Sequence, residues 1–412
     1  MSLHSPLCRF CQAALTETFV DLGMSPLSNA YISPDQLSQG ERFYPLHAFV
    51  CSACWLVQLE EFESPEAIFS DYAYFSSYSD SWLAQCQKYA REISLRLGLN
   101  AQSQVIEVAS NDGYLLQYFA QAGIPILGIE PAANVAEVAL SKGIPTEVIF
   151  VGADTIPPLL KNHAQADLLI GNNVLAHVPN ICRFVSGLAL LLKAEGVLTM
   201  EFPHLLQLIA QRQFDTIYHE HFSYLSLLAV EKIFAAAGLT LFDVESLPSH
   251  GGSLRIYAQH SESGKQPHSG RLENLRLQEQ QAGLDKIATY HNFAAEVRKL
   301  KYSLLNTLIA IKQAGKTLVG YGAPAKGNTL LNYCGIRTDF LDYTVDRSPH
   351  KQGLTLPGVH IPILAPEAIF TTQPDYVLIL PWNIKDEIME QMTEIRTWGG
   401  KFILPIPEVQ IL

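Results

Sequence analysis

Tyr218, His219, Glu220 and His221 follow one another in the segment FDTIYHEHFSY. On a helical turn Tyr218 and His221 share a face, whereas on a strand His219 and His221 do. A histidine can remove a proton near neutral pH, and a neighbouring tyrosine can donate a hydrogen bond to a developing oxyanion. Acid–base chemistry is favoured over metal binding, because no third ligand has recognisable spacing and H-E-x-x-H is absent. A polar cluster that satisfies buried loop backbone is the alternative.

Four of the seven cysteines form two C-x-x-C pairs, Cys8 with Cys11 and Cys51 with Cys54. Two residues between thiolates allow a tight turn to aim both sulfurs at one ion, and two such turns provide the four ligands of a closed tetrahedral zinc site. Because four thiolates leave no open position, we expect the zinc to be structural and away from the chemistry. A redox role is the weaker alternative, since no thioredoxin-like βαβ pattern surrounds either pair.

A candidate cofactor site lies in the segment QVIEVASNDGYLL, residues 104–116. An apolar strand runs into a turn containing Gly113, and a helix follows. This is the first unit of a doubly wound sheet, in which ligands bind beyond the carboxyl ends of the strands. The next predicted strand, 126–129, ends in Glu130, whose carboxylate can accept both ribose hydroxyls of an adenosine-type ligand.

The glycine content of this turn distinguishes between ligands. A pyrophosphate needs the close backbone approach of G-x-G-x-x-G, whereas S-adenosylmethionine has no phosphate and tolerates a looser turn. The alternative is a Rossmann-like unit that binds another nucleotide, or nothing. The predicted cofactor-binding residues are Glu107, Ala109, Asn111, Gly113, Tyr114, Glu130, Asn172 and Asn173.

Two further segments have residues suited to a phosphorylated substrate. Ser77 and Tyr78, in YAYFSSYS, could close over the cofactor or contact a diphosphate, although aromatic packing between domains explains them equally well. In HGGSLR, adjacent glycines permit a ligand to approach His250 closely. Arg255 of the same segment could pair with a phosphate, or it could be a strand residue with a surface partner.

A third segment, GYGAPAKGNT, follows a long charged helical stretch at residues 271–315 and predicts a strand, a glycine turn and a helix. The turn matches neither nucleotide motif fully, because Lys326 precedes Gly327 and Asn328 follows it. The geometry still directs backbone N–H groups and Lys326 toward an anion. A dimerisation or scaffold domain that retains an old Rossmann form is the alternative.

Composition excludes some classes of function. The chain has 412 residues, which suggests two or three domains, and a net charge of −12 with no basic stretch. This balance argues against nucleic acid as the main partner but allows a small phosphorylated ligand in a locally basic pocket. The first residues do not resemble a signal peptide, and no apolar run has the length of a membrane span. We therefore expect a cytoplasmic protein without a membrane partner.

The cysteine pairs and the segments YAYFSSYS, EVASNDGYLL, NNVLAHVPN, YHEHFSY, HGGSLR and GYGAPAKGNT resemble, in this order, the sugar C-methyltransferase family. The resemblance covers nearly the whole chain. Members methylate C3 of nucleotide-linked 4-keto-deoxysugars. The resemblance implies that His221 is the general base, that Tyr218 supports the enolate or orients the substrate, and that Glu220 holds the pair in place. It implies a second active-site histidine at His177.

The resemblance also implies that a C-terminal domain anchors the nucleotide, with Lys326, Asn328 and Trp382 as candidates. The expected fold is α/β: a central doubly wound, Rossmann-like methyltransferase sheet, a small N-terminal zinc-binding domain and a C-terminal Rossmann-like domain. We place these domains at residues 1–70 (zinc), 71–265 (methyltransferase) and 266–412 (substrate, with a helical linker).

The predicted function is transfer of a methyl group from S-adenosylmethionine to C3 of a nucleotide-linked 4-keto-deoxysugar, through an enolate made by a histidine base. O- or N-methylation of another small molecule is one alternative, and a non-catalytic binding protein with the same fold is another. The expected ligands are a nucleotide sugar, S-adenosylmethionine and structural Zn²⁺. The oligomeric state stays open between monomer and dimer.

Overall fold

The computed structural model describes residues 6–64, 77 and 80–412. The strands are β1 (Glu17–Ser25), β2 (Tyr44–Val50), β3 (Val57–Leu59), β4 (Val105–Val108), β5 (Ile126–Ile129), β6 (Thr146–Glu147), β7 (Ala166–Asn172), β8 (Leu192–Pro203), β9 (Ser223–Tyr224), β10 (Leu239–Leu247), β11 (Ser253–His260), β12 (Leu318–Tyr321), β13 (Thr344–Val345), β14 (Ile363–Leu364), β15 (Tyr376–Ile379), β16 (Lys401–Leu404) and β17 (Gln410–Ile411).

The α-helices are α1 (Asp80–Leu97), α2 (Leu116–Gln121), α3 (Ala133–Ser141), α4 (Ile156–Leu159), α5 (Ile181–Leu191), α6 (Leu205–Ala210), α7 (Leu227–Ala236), α8 (Gly270–Gln281), α9 (Ile287–Gln313), α10 (Ala325–Cys334), α11 (Glu367–Thr372) and α12 (Lys385–Gln391). Short 3₁₀ turns lie at Pro34–Gln36, Leu175–His177, Phe214–Thr216, Ser249–Gly251, Trp382–Ile384 and Thr393–Trp398. No helix in these described ranges is long and apolar enough to cross a bilayer.

The N-terminal sheet is antiparallel, with strand order β1-β2-β3-β9. Alternate residues of β2, namely Leu46, Ala48 and Val50, are buried, as the two-residue period of a strand with one covered face requires. Each cysteine pair lies in a tight turn. The residue directly after the second cysteine has a positive φ, 62° at Gln12 and 70° at Trp55. The fourth strand, β9, comes from the segment directly after the tyrosine–histidine cluster, so this sheet is completed by a distant part of the chain.

The central sheet has the order β10-β11-β8-β7-β4-β5-β6. Its strands β4 to β8 run parallel, whereas β10 and β11 add an antiparallel edge. All four residues of β4 are buried, which is typical of a parallel strand covered by helices on both faces. The predicted strands at 105–108 and 126–129 are confirmed. The carboxyl ends of β4, β5 and β7 therefore lie along one edge, where a doubly wound sheet binds its ligand.

The C-terminal sheet has the order β14-β13-β12-β15-β16-β17, parallel except for β17. The predicted strand, glycine turn and helix correspond to β12, Gly322 with φ of 89°, and α10. The predicted helical stretch is two helices, α8 and α9. The longer one, α9, buries a stripe at helical spacing made of Tyr290, Phe293, Val297, Leu300, Leu304, Leu308 and Ile311.

The N-terminal sheet packs against both the central domain and the C-terminal domain. Phe19 of β1 stacks on Phe293 of α9 with ring centroids 4.5 Å apart, and this contact belongs to a core shared with the C-terminal sheet. At its other end, the cysteine turns share a core with Ile181 and Phe184 of α5. This placement brings the zinc-binding turns, the central sheet edge and the C-terminal glycine turn around one cleft.

Candidate active site

A cleft of about 1300 Å³ lies between the three sheets. This volume exceeds the ~300–1000 Å³ of ordinary ligand pockets, so it can hold two small molecules together. The predicted residues that line it are Ala109, Asn111, Tyr114, Glu130, Asn172, Asn173, His177, Tyr218, Glu220, His221, His250 and Lys326. The lining also includes Arg9, Asn29 and Tyr31 of the N-terminal domain, which sequence reasoning missed.

The turn after β4 has an unusual backbone. Ala109 and Asn111 have positive φ angles, 53° and 49°, although neither is a glycine, and Gly113 follows with 79°. Left-handed backbone at non-glycine residues costs on the order of 1–3 kcal/mol each and is concentrated at functional sites. The chain therefore keeps the open turn of a cofactor-binding loop without its usual glycines.

Glu130 closes this turn from the neighbouring strand. Its two carboxylate oxygens accept hydrogen bonds from the backbone N–H groups of Asn111 and Ala132, both at 2.9 Å. Burial raises the pKa of Glu130. Each oxygen keeps a further acceptor position for a ribose hydroxyl. In the same cleft, directly after β7, the side-chain oxygen of Asn173 is buried without a partner among the described residues. These groups fit an adenosine-type ligand.

Two predicted cofactor residues do not line the cleft. Glu107 is fully buried behind the turn, and burial raises its pKa well above the ordinary value. Gly113 is packed so tightly that a Cβ there would lie 2.8 Å from Cγ1 of Ile144. Both residues shape the turn from behind.

The predicted contact between Tyr218 and His221 is present. The two residues lie on one turn, and the Tyr218 hydroxyl is 2.9 Å from Nε2 of His221. The other ring nitrogen, Nδ1, is 2.8 Å from the carbonyl oxygen of Thr216. Because a carbonyl can only accept, Nδ1 carries the proton, and Nε2 is the basic nitrogen that accepts from the tyrosine.

His177 completes this cluster, with its ring centroid 4.7 Å from that of His221 in an edge-to-face arrangement. Burial lowers the pKa of His177 to about 4, opposed by a hydrogen bond to the backbone of Glu220. Burial, and then electrostatic coupling to the neighbouring His177, lower the pKa of His221 well below its ordinary value. His250 behaves in the same way, with burial and then Lys326 lowering its pKa to about 4. All three imidazoles are neutral at pH 7.

Glu220 is held by the N-terminal domain. The side-chain amide of Asn29 donates to its Oε1 at 2.6 Å, and burial raises the pKa of Glu220 to about 7. His219 points the other way: its Nε2 lies 3.2 Å from the carbonyl oxygen of Pro45, between the rings of Tyr44 and Phe62. His219 and His221 therefore point in different directions and do not form a common metal site. This agrees with the preference for acid–base chemistry over metal binding at this segment.

The C-terminal glycine turn contributes Lys326. Its Nζ donates to the side-chain oxygen of Asn383 at 2.7 Å and lies 4.9 Å from the ring centre of Trp382. The Trp382 indole in turn donates to Asp215 at 2.7 Å. Trp382 therefore supports the lysine and does not itself line the cleft. Asn328 is buried and accepts from the Asn332 side chain at 3.2 Å, so it packs behind the turn.

Arg255 differs from its predicted role as a phosphate ligand. Its guanidinium donates to Glu201 at 2.7 Å and to Glu245 at 3.4 Å, and it lies 4.2 Å from the centre of the Tyr89 ring. Two carboxylates and an aromatic face satisfy this cation within the sheet, and Arg255 does not line the cleft. The physical reason is the pairing of β11 with β8 and β10, which places Glu201 and Glu245 beside it.

Of the segment YAYFSSYS, only Ser77 lies within the described residues, and Tyr78 lies outside them. The Ser77 hydroxyl donates to Oδ2 of Asp112, which also forms an ion pair with Lys142 at 2.9 Å. Ser77 therefore contacts the cofactor turn from outside the cleft. A diphosphate contact by Ser77 finds no support in this placement.

The four cysteines meet as predicted. The Sγ atoms of Cys8 and Cys54 are 3.5 Å apart, those of Cys11 and Cys51 are 3.4 Å apart, and all four lie within 4.8 Å of one another. Zn–S bonds of about 2.3 Å in a tetrahedron place sulfurs about 3.8 Å apart, so the four ligands fit zinc. In the part of the chain that the structure describes, this is the only group of cysteine, histidine or acidic side chains close enough to hold a metal ion.

Comparison with known proteins agrees with this arrangement. Family models match three consecutive parts of the chain: a zinc-binding domain at residues 8–69, a methyltransferase domain at 82–244 and the C-terminal domain of C-methyltransferases at 248–407. The C-methyltransferase NovU of Streptomyces niveus is 34% identical over 405 residues, which are 98% of this chain and 96% of that protein.

Solved structures match less than half of the chain. An S-adenosylmethionine-dependent methyltransferase from Clostridium acetobutylicum ATCC 824 is 10% identical with a TM-score of 0.35, over 44% of this chain and 93% of that one. Magnesium protoporphyrin IX methyltransferase (ChlM) from Synechocystis PCC 6803, with bound SAM, is 16% identical with a TM-score of 0.32, over 43% of this chain and 81% of that one.

Proposed function

The chain belongs to the S-adenosylmethionine-dependent C-methyltransferases with an N-terminal zinc-binding domain, and we propose that it methylates C3 of a nucleotide-linked 4-keto-deoxysugar with His221 as the base. One observation carries the proposal. Nδ1 of His221 is fixed on the Thr216 carbonyl, so the basic Nε2 faces Tyr218 in the same cleft as the cofactor turn.

The reacting carbon must lie beside a carbonyl group for a histidine to be sufficient. A C–H bond next to a ketone loses its proton more readily than an ordinary C–H bond, because the negative charge spreads onto the carbonyl oxygen. A 4-keto group provides this at C3 of a sugar. The protein then needs one base, one donor for the oxygen and a fixed geometry, and the cleft contains all three.

The Tyr218–His221 pair can provide both the base and the donor. Before substrate binds, the Tyr218 hydroxyl donates to Nε2 of His221. A C3–H bond placed against Nε2 displaces that hydroxyl, which can then donate to the oxygen at C4. The proton moves from C3 to Nε2, and the Thr216 carbonyl stabilises the imidazolium through Nδ1–H. The neutral His177 ring beside it adds no competing charge.

When bound, S-adenosylmethionine supplies the electrophilic methyl group. Glu130 and Asn173 would hold its adenosine part, and the left-handed backbone at Ala109 and Asn111 leaves room for it at the end of β4. The proposed domain division stays at 1–70, 71–265 and 266–412, because each part contributes most of the strands of one sheet.

The nucleotide part of the substrate would lie toward the C-terminal glycine turn. Lys326 lines the cleft there, is oriented by Asn383, and lies beside the neutral His250. A lysine in the first turn of α10 suits a diphosphate, since the helix N-terminus adds unpaired N–H groups. Membership of the C-methyltransferases argues against the O- or N-methylation alternative and against a non-catalytic binding protein.

Solvent exchange tests this proposal directly. The enzyme is incubated in D₂O with nucleoside-diphosphate-linked 4-keto-6-deoxyhexoses that differ in their base, with and without S-adenosylhomocysteine. Deuterium should enter C3, and added S-adenosylmethionine should convert the sugar to its 3-C-methyl product, both observed by NMR and mass spectrometry. The proposal fails if neither exchange nor methylation occurs with any of these sugars while the enzyme binds S-adenosylhomocysteine normally.

A further inference from the structure

The segment that carries His221 is anchored on the zinc-binding domain. The strand that follows, β9, pairs with β3 through Ser223 and Gln58. The backbone N–H of Leu59 donates to the carbonyl oxygen of Phe222 at 3.0 Å. Only one residue therefore separates the proposed base from the sheet that the metal stabilises. The zinc turns and the cleft are neighbours, although the sequence suggested a metal site away from the chemistry.

Gln58 joins this sheet to the metal site. Its side-chain N–H donates to the sulfur of Cys8 at 3.2 Å, and its oxygen accepts from the backbone N–H of Arg9 at 2.8 Å. The side chain is buried, so these bonds are not exchanged with water. Hydrogen bonds of this kind orient metal ligands and are sensitive to mutation. The zinc-bound thiolate of Cys8 thus fixes, through Gln58, the position of the Arg9 backbone in the first cysteine turn.

The guanidinium of Arg9 then contacts three separate segments. Nη1 donates to the carbonyl oxygen of Pro179 at 2.8 Å, and Nη2 donates to that of Leu59. The group also lies 5.4 Å from the centre of the Phe222 ring, within the range of a cation–π interaction. Arg9 lines the cleft.

These contacts place one cation between two histidine loops. Pro179 lies two residues after His177, and Phe222 lies one residue after His221. We propose that Arg9 is a positioning residue that sets the two imidazoles in register, so that the zinc site determines the geometry of proton transfer. The roles of the histidines rest on the function proposed above, whereas the mechanical link rests on these contacts alone.

A lysine cannot replace this arrangement. Arginine has a planar, rigid fork whose nitrogens reach two carbonyls in fixed directions, whereas a lysine ammonium is a compact point charge on a flexible stem. Arg9→Lys retains the positive charge but cannot bridge Pro179 and Leu59 while it lies against Phe222. A displacement of about 1 Å of a reacting group costs roughly 10²-fold in rate.

The test compares holoprotein variants with ¹³C-labelled histidine rings. Wild type, Arg9→Lys and the control Arg276→Lys are measured for zinc per chain, for S-adenosylhomocysteine affinity and for the ring resonances of His177 and His221. Like Arg9, Arg276 donates through two guanidinium nitrogens. Its acceptor is the Glu231 carboxylate, and Arg276 is not part of the cleft lining. None of these measurements needs the sugar, so they remain readable if the proposed substrate is wrong.

We expect Arg9→Lys to keep one zinc per chain and its cofactor affinity within twofold, yet to shift or broaden both histidine resonances. In turnover, kcat should fall by roughly 10–100-fold with KM changed less than threefold, the range for residues that orient others. Arg276→Lys should match wild type in every measurement. Unchanged histidine resonances in Arg9→Lys would overturn the proposal. Loss of zinc from that variant would also overturn it, since Arg9 would then serve the metal site itself.

A second variant covers the case in which lysine distorts the fold. Arg9→Ala opens a space at the cleft wall that a free guanidinium ion can enter. Millimolar guanidinium chloride should restore the histidine resonances and raise the kcat of Arg9→Ala at least tenfold. Potassium chloride at equal ionic strength should do neither. Equal responses to both salts would contradict a positioning role for the guanidinium group.

Discussion

The hydroxyl of Tyr218 lies 2.9 Å from Nε2 of His221. This bond occupies the basic lone pair that the proposed reaction needs. In the proposed complex, it also keeps the hydroxyl close to the oxygen at C4. In the proposed reaction, the pair therefore exchanges one hydrogen bond for another when substrate enters.

Removal of the Tyr218 hydroxyl should affect the reaction and not cofactor binding. We expect Tyr218→Phe to lower kcat by about 100-fold, because loss of one oxyanion donor typically costs ~10²–10³. Deuterium exchange at C3 should fall in parallel, and affinity for S-adenosylhomocysteine should not change. The control is Tyr257→Phe, which loses a hydroxyl bonded to Glu245 at 2.8 Å outside the cleft. Turnover of Tyr218→Phe within threefold of wild type would exclude this role.

Replacement of His221 by asparagine separates orientation from basicity. An asparagine amide can still donate to the Thr216 carbonyl in place of Nδ1, but it offers no basic nitrogen at Nε2. We expect His221→Asn to reduce turnover by roughly 10²–10⁴-fold, the usual contribution of a general base. Calorimetry should show unchanged S-adenosylhomocysteine binding. His163→Asn, at a surface pair with Glu147, should retain full activity. If His221→Asn retained deuterium exchange at C3, the base would be a residue other than His221.

The sequence predicts those parts of the site that depend on local spacing. Each C-x-x-C turn, the strand and turn that end at Gly113, and the contact between Tyr218 and His221 all follow from residues a few positions apart. Such patterns fix backbone geometry within one turn or strand. These local features therefore depend little on how the rest of the chain packs.

The remaining parts depend on how distant segments pack. Asn29 reaches Glu220 across 191 positions, and Arg9 reaches Pro179 across 170. Neither residue has a motif around it, and no spacing rule indicates its partner. Arg255 shows the opposite case: an arginine near two glycines suggested a phosphate, but strand pairing placed carboxylates beside it first.

Glu220 should make stability depend on pH. Burial raises the pKa of its carboxyl group to about 7, above the value of about 4.5 for an unfolded chain. The folded state thus binds the proton more tightly, so this contribution to stability is complete below pH 4.5 and is lost as pH rises through 7. Glu220→Gln keeps an oxygen for the Asn29 amide but cannot ionise. Its gain in unfolding free energy over wild type should grow by up to about 3 kcal/mol between pH 5 and pH 9.

Urea denaturation at several pH values measures this difference. Glu137→Gln on α3 serves as the control, because that side chain is exposed and should show no such trend. A difference between Glu220→Gln and wild type that stays constant with pH would contradict ionisation of a buried Glu220 in this range.

Glu130 should contribute to cofactor affinity through both of its oxygens. In Glu130→Gln, one oxygen becomes an NH₂ group that faces a backbone N–H of Asn111 or Ala132, so one hydrogen bond becomes a repulsive contact. We expect affinity for S-adenosylhomocysteine, measured by calorimetry, to fall at least about tenfold, since a hydrogen bond to a charged group is worth ~1.5–3 kcal/mol. Glu137→Gln should bind as wild type does. Equal affinities of Glu130→Gln and wild type would remove Glu130 from the cofactor site.

Loss of one zinc ligand should affect the whole N-terminal sheet. Cys54 and Cys86 are both buried, but only Cys54 belongs to the group of four sulfurs. Cys54→Ala should lose stoichiometric zinc by elemental analysis and several kcal/mol of unfolding free energy, because the metal holds together two turns about 40 residues apart. Cys86→Ala removes a sulfur of equal size and should keep one zinc per chain. Zinc retained at wild-type affinity by Cys54→Ala would contradict a four-cysteine site, since a tetrahedral ion with three thiolates keeps an open position that binds less tightly.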